Sequence, residues 1–205
     1  MNKLAILVAC CVSLPAFAQF DTSALQKAAE KANTDASKAA EKVGGEDGKA
    51  ALEKGKDAAK TNANAFAAKQ VEAKVNDKLM DDARKNQCVF KSNSDQFQEK
   101  CDKQLQNLVD SLIWAKQQLT DAGVTGFKFE VSGHTDSKGN AKKNLALSQK
   151  RAAKIVKELV AKKVPPKEII AIGMGSKQML ENPDDTKEKQ AKNRRFELRV
   201  RIEKL

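Results

Sequence analysis

One histidine, His134, is all the imidazole this 205-residue chain contains. Imidazole is the commonest catalytic base and metal ligand, so its scarcity thins out most enzyme chemistries at once. His134 and Asp136 stand two apart and could be read as half a metal site. No Cys/His cluster joins them, so no metal is expected. Ser132 or Ser148 could be grouped with His134 and Asp136 into a triad. No nucleophile elbow or oxyanion pattern accompanies them, so no catalysis is expected. The glycines do not spell a phosphate loop, and no cofactor is expected. Long apolar runs are also missing after the first eighteen residues. No later segment is suited to spanning a bilayer, and no series of ten-residue amphipathic strands suggests a barrel.

The one apolar run present, Leu4 to Leu14, follows the basic start Asn2-Lys3 and precedes Ala16-Phe17-Ala18. That is the form of an export signal with a small-x-small cleavage site, which puts the signal peptide at residues 1–18. Leu7-Val8-Ala9-Cys10 offers a competing reading as a lipoprotein signal with the lipid on Cys10. Lys3 lies close to Cys10 and the apolar run continues past Cys11, so cleavage after Ala18 is favoured on length. Cys88 and Cys101 then remain, and an even pair in an exported protein is most simply a disulfide. With no second pair, they do not form a zinc signature.

The net charge of +11 is unevenly spread. Residues 19–86 carry 13 Lys and Arg against 12 Asp and Glu; residues 87–205 carry 24 against 15. A basic excess inside a cell would suggest nucleic acid. Export removes that partner and leaves the polyanions of the cell wall and the envelope surface, or simply a solvated basic face.

Composition divides the chain in the same place. Residues 19–86 are rich in Ala, Lys and Glu, all strong helix formers. Leu25, Ala28, Ala29, Ala32 and Ala36 recur at helical spacing. Gly44-Gly45 and Gly48 should interrupt the helix, and a second helical pattern runs from about Lys49 to Arg84. Alanine stripes bury little area, so this segment reads as a helical spacer, with room for an envelope protein partner along residues 21–86. Residues 87–205 read as one α/β domain. Cys88-Val89-Phe90 suggests a short strand and Asp95 to Leu119 a helix. Phe127, Phe129 and Val131 alternate with polar residues as a half-buried strand. A helix follows from about Ala141 to Lys162, then a short apolar strand over Ile169 to Ile172. The last strand holds Phe196, Leu198, Val200 and Ile202. The expected fold is an α/β sandwich with a small mixed sheet.

The candidate site lies in Val131-Ser132-Gly133-His134-Thr135-Asp136 and the helix after it. Asp136 ends a strand, Arg151 stands on the next helix, and Arg194 precedes the last strand. Asn144, Ser148 and Arg151 are four and three apart, so they share one side of that helix. An Asp and an Arg held close suit a zwitterion, because the carboxylate binds an ammonium and the guanidinium grips a carboxylate. They could equally salt-bridge each other, or Asp136 could cap its loop.

Four blocks resemble the OmpA-like domain family in order and spacing: Gly133-His134-Thr135-Asp136, Leu147-Ser148 with Arg151-Ala152, Gly173-Met174-Gly175, and Asn193-Arg194-Arg195. The resemblance covers about residues 88–203 and implies a βαβαββ sandwich that binds peptidoglycan through the diaminopimelate of its stem peptide. It implies that Asp136 and Arg151 take the diaminopimelate. Asn144 and Arg194 would support the bound peptide, Asn93 would add a polar contact, and His134 would pack the loop. Lys91 follows Phe90 where the family often has Asp. The expectation is a non-catalytic, periplasmic, cell-wall-associated protein that anchors or spaces an envelope component. The alternatives are an outer-membrane lipoprotein tether and, from another class, a cell-wall hydrolase.

Overall fold

The alternation read in the last strand recurs as burial. Phe196, Leu198 and Val200 are buried while Arg199 and Arg201 face solvent. In the computed structural model, residues 46–204 are described, with side chains over 65–203. The signal segment, Cys10 and the first helical arm from Leu25 to Ala36 lie outside the described residues. The chain divides into two compact units, residues 1–60 and 61–205. The described part of the first, residues 46–60, is helical.

In chain order the described elements are α1 (Glu46–Lys85), α2 (Asp102–Asp121), β1 (Gly126–His134), α3 (Ala141–Ala161), β2 (Ile169–Gly175), α4 (Lys187–Asn193) and β3 (Phe196–Lys204). The strands form one mixed sheet in the order β2-β1-β3. β1 pairs in parallel with β2, Phe129 opposite Ile169, and antiparallel with β3, Phe129 opposite Val200. The parallel pairing requires a crossover, which α3 supplies. This is the small mixed α/β sheet expected from the sequence. α2 buries Leu105, Leu108, Val109, Leu112 and Leu119, and α3 buries Ala152, Ile155 and Leu159. Both stripes follow the three- and four-residue spacing of an amphipathic helix.

Two glycines set how closely α3 approaches the sheet. A Cβ at Gly133 would stand 2.3 Å from the Ser148 carbonyl oxygen, and one at Gly173 would stand 2.7 Å from the Gln149 backbone nitrogen. These glycines belong to the blocks noted above, and only the absence of a side chain lets the helix lie this near the strands. The start of α3 and the ends of β1 and β2 thereby lie close together.

The boundary expected at residue 86 is displaced. Ala68, Val71, Val75, Leu79 and Ala83 of α1 are all buried, spaced three and four apart. Burying each Val or Leu contributes roughly 1.5–3 kcal/mol, which is too much for a detached spacer. Polar residues on the same helix serve the sheet directly. The Asn76 amide donates to the Val200 carbonyl at 3.0 Å and accepts from the Val200 N–H at 2.7 Å. Glu72 accepts from the Ile202 N–H at 3.1 Å. Gln87, just beyond the helix, donates to the Phe196 carbonyl at 2.9 Å and accepts from its N–H at 3.0 Å. β3 is an edge strand, and its unpaired backbone groups would otherwise template association. Side-chain amides reproduce the donor–acceptor pair of a neighbouring strand. On the opposite edge Gln149 does the same, donating to Ala171 at 3.1 Å and accepting from Gly173 at 2.6 Å.

Two further expectations are corrected. Cys88-Val89-Phe90 is not a sheet strand; Phe90 makes an isolated antiparallel bridge with Phe97. Asp95 to Lys100 is not helical, and α2 begins at Asp102. One cause serves both. A disulfide joins Cys88 to Cys101, and the chain between folds back on itself, with the Phe90 and Phe97 rings 5.1 Å apart. Bonds from Lys91 N–H to Gln96 and from Gln98 N–H to Val89 complete this small hairpin. Its polar residues suit a helix, but the cross-link and the aromatic pair prevail over propensity.

Candidate functional site

A cleft of about 920 Å³ opens where the C-terminal end of β1, the start of α3, the 88–101 loop and the segment before β3 meet. Asn93, Asp136, Asn144, Arg151 and Arg194 all line it. Ser148 does not. It is fully buried, donating to the Leu145 carbonyl at 2.8 Å and accepting from the Gly175 N–H at 2.9 Å. Its hydroxyl fastens α3 to the end of β2 and faces no ligand.

Asp136 is the only carboxylate among the lining residues. It is not paired with Arg151. Arg194 Nη1 donates to its Oδ2 at 2.8 Å, and the Lys138 backbone N–H donates to its Oδ1 at 3.2 Å. A carboxylate has about four lone-pair sites, so Oδ1 retains accepting capacity for a ligand. The loop holding Asp136 is pinned from two sides. The Asn144 amide donates to the Lys138 carbonyl at 2.8 Å and to the Asp136 carbonyl at 3.3 Å. Asp184 accepts from the Ser137 N–H at 2.8 Å and from the Ser137 hydroxyl. Asn144, expected to support a bound peptide, thus spends its donors on the loop itself.

Sequence reasoning assigned no role to the residues behind this support. Asn193 is completely buried. Its carbonyl oxygen accepts from the Leu180 and Glu181 N–H groups at 2.8 and 3.1 Å. Its amide donates to the Glu181 carbonyl at 2.9 Å and to Asp184 at 3.2 Å. Asn193 therefore holds Asp184, which holds Ser137 beside Asp136. The Ser137 hydroxyl and N–H hold the Asp184 carboxyl below the usual carboxylate range, despite an opposing effect of burial. Asp184 lies in the segment Pro183-Asp184-Asp185, and nothing local in that segment marks its distant partner.

Arg151 is held differently. Its Nε donates to the Ser94 carbonyl at 2.9 Å and its Nη2 to the Lys91 carbonyl at 3.1 Å. The guanidinium also stacks 5.1 Å from the centre of the Phe90 ring. Burial and the charge of Arg194 lower its pKa, and Asp136 and Asp95 oppose them. A guanidinium has five N–H donors and stays charged in proteins, so donors remain for a ligand carboxylate. Asn93 lies in the same loop with φ of 51°, a left-handed conformation that Asn tolerates better than most residues. This turn aims the Lys91 and Ser94 carbonyls at Arg151.

His134 has 1 % of its surface exposed, and neither ring nitrogen has a hydrogen-bond partner. Glu197 lies 3.8 Å from Nε2, and Arg195 binds that same carboxylate at 2.6 Å. Burial, aided by the Arg195 charge and opposed by Glu197, pushes the His134 pKa down to about 4. A neutral, enclosed imidazole packs the base of the cleft. Among the described residues, no group of three or more His, Cys, Asp or Glu side chains is arranged to hold a metal. No described helix is long and apolar enough to cross a membrane.

The OmpA family matches residues 89–194. The chain belongs to the OmpA family. Among solved structures it is similar to the peptidoglycan-associated lipoprotein from Burkholderia pseudomallei, with 25 % identity and a TM-score of 0.47 over 58 % of this chain and 93 % of that one. It is also similar to the periplasmic domain of Helicobacter pylori MotB, with 21 % identity and a TM-score of 0.47 over 57 % and 77 %. The matched span contains Asn93, Asp136, Asn144, Arg151 and Arg194, and also both members of the Asn193–Asp184 support.

Proposed function

We propose that this OmpA-family protein binds peptidoglycan without cleaving it, through the diaminopimelate of the stem peptide, and so anchors or spaces a component of the cell envelope. One observation carries the reading. Asp136 and Arg151 line the same cleft, are not neutralised by each other, and each keeps hydrogen-bonding capacity. A zwitterionic end can place its ammonium at Asp136 Oδ1 and its carboxylate across the free donors of Arg151. Arg194 takes the other oxygen of Asp136 and so orients the acceptor. Asn93 stands at the rim of the same cleft, suited to a peptide's polar backbone.

The non-catalytic part of the reading is supported by the lining. Glycoside hydrolysis usually needs two carboxylates flanking the bond, and the cleft offers one. His134 is buried and neutral at physiological pH, and the Ser148 hydroxyl is engaged at both its donor and acceptor sides. Periplasmic residence, processing after Ala18 and outer-membrane association belong to the same proposal.

Sedimentation with purified sacculi tests it. Wild type is expected to co-sediment. Asp136→Ala and Arg151→Ala each remove one partner of a charged ligand group and should weaken binding by about 2 kcal/mol or more, at least tens-fold. Both variants should keep a native circular-dichroism spectrum. Folded variants that bind like wild type would refute the site, and released muropeptides would refute the absence of catalysis.

A further inference from the structure

The charge of the cleft exceeds what one zwitterion needs. Arg84, Lys138, Arg151, Lys192, Arg194 and Arg195 line it against the single carboxylate of Asp136. Three of these cations are already paired: Lys192 with Glu181 at 2.7 Å, Arg194 with Asp136 at 2.8 Å, and Arg195 with Glu197 at 2.6 Å. Arg151 is reserved for the ligand carboxylate on the reading above. Lys138 sits two residues from Asp136, in the loop that receives the ammonium.

Arg84 is different in origin. It comes from the last turn of α1, outside the residues that the OmpA family matches. Its guanidinium has no hydrogen bond or ion pair among the described residues. Asp81, one turn earlier, is taken by Lys85 at 2.5 Å. α1 is held against the sheet by Asn76 and the buried Val75, Leu79 and Ala83, so the backbone carrying Arg84 is fixed at the cleft. A bland role exists, since a cation in a last helical turn offsets the negative end of the helix dipole. That role does not require the side chain to line the cleft, and Lys85 already serves it.

We propose that Arg84 forms a second anion subsite, binding a carboxylate that the peptide ligand carries outside its diamino acid. This rests on the peptide-binding reading of the cleft. The N-terminal helix then contributes to recognition as well as covering the sheet edge. A ligand with one ammonium and two carboxylates matches the cleft better than a simple zwitterion does. Because Arg84 is exposed, its effect should be modest and should fade with salt.

The test uses the full chain and two synthetic probes, N-acetyl-γ-glutamyl-diaminopimelate with the glutamyl α-carboxylate free or as its primary amide. Calorimetry at low ionic strength should show wild type binding the acid about three- to tenfold more tightly than the amide. Arg84→Gln should bring that ratio close to one, and Arg84→Lys should keep part of it. Equal affinities in wild type, or an unchanged ratio in Arg84→Gln, would overturn the subsite. If Arg84→Gln lowers only the melting temperature and leaves the ratio intact, the helix dipole is the whole role and the subsite is again refuted. The underlying reading fails separately, when the amide binds wild type and Asp136→Ala equally. Absence of binding by either probe refutes both.

Discussion

The two walls of the cleft are built by different means. Asp136 sits on a wall fixed by buried side chains, where Asn193 holds Asp184, Asp184 holds Ser137, and Asn144 closes the loop from α3. Arg151 faces a wall made of backbone. Its guanidinium rests on the carbonyls of Lys91 and Ser94, in a surface loop closed by the Cys88–Cys101 disulfide. Side-chain networks within a packed unit persist as long as the unit folds. A short loop with few buried groups keeps its shape largely through its cross-link. One cleft can therefore have an acid half whose integrity follows global stability and a basic half whose integrity follows redox state.

Removing the N-terminal helix should have the largest effect and should take both walls with it. Cutting at residue 87 deletes the buried stripe from Ala68 to Ala83 and the side chains that serve β3. The loss is on the order of 5 kcal/mol or more, comparable with the whole stability of a small domain. Residues 61–205 alone should unfold cooperatively on heating and bind sacculi. Residues 87–205 should not, and a sharp native transition in that shorter fragment would show α1 to be dispensable.

The two walls can then be broken one at a time. Reduction of Cys88–Cys101 should cost about 3 kcal/mol through the enlarged unfolded ensemble. It should also free the carbonyls that hold Arg151. Affinity measured below the lowered melting temperature should fall for the wild type and change little for Arg151→Ala. Asn193→Ala should cost about 2–3 kcal/mol by leaving buried partners unsatisfied. Its damage should appear at Asp136, visible as faster amide exchange at Ser137 and Lys138 while the 88–101 loop stays protected. Uniform loosening of both walls in either experiment would erase the distinction.

The smallest effect, taken per pH unit, is set by protonation of His134. The folded-state pKa of His134, about 4, lies below its ordinary value of 6.5. The unfolded chain therefore binds a proton that the folded chain refuses between those values. Stability should fall as pH drops through that window, by up to about 1.4 kcal/mol per pH unit, with no contribution above it. Melting curves from pH 7 to pH 4 should show this slope, and His134→Asn should flatten it. Equal slopes would mean that His134 takes up its proton without unfolding.

The same contrast explains what could be read in the sequence. The Asp136 wall was legible because a strand end, a loop and a helix follow one another, and the spacing of Asn144 and Arg151 fixes one helical face. The Arg151 wall was not, because main-chain carbonyls at Lys91 and Ser94 have no side-chain signature. Asp95 to Lys100 have the composition of a helix, and the Phe90–Phe97 pairing that makes them part of a hairpin has no local signature. The docking of α1 was hidden for another reason. Its stripe is partly alanine, and nothing in the sequence around Asn76 and Glu72 marks them as the partners of an edge strand. The small mixed sheet was visible from alternation alone, most clearly at Phe196, Leu198 and Val200.

Recognition of both ends of a zwitterion by Asp136 and Arg151 is tested most directly by displacement from sacculi. Wild-type protein bound to sacculi is challenged with diaminopimelate or with cadaverine at equal concentration. Cadaverine carries the same two amines but neither carboxylate, so it can reach Asp136 and leaves Arg151 without a partner. Diaminopimelate is expected to release the protein at concentrations where cadaverine releases little, and the difference should vanish in Arg151→Ala. Equal release by the two compounds, or release by neither, would contradict the assignment of this cleft.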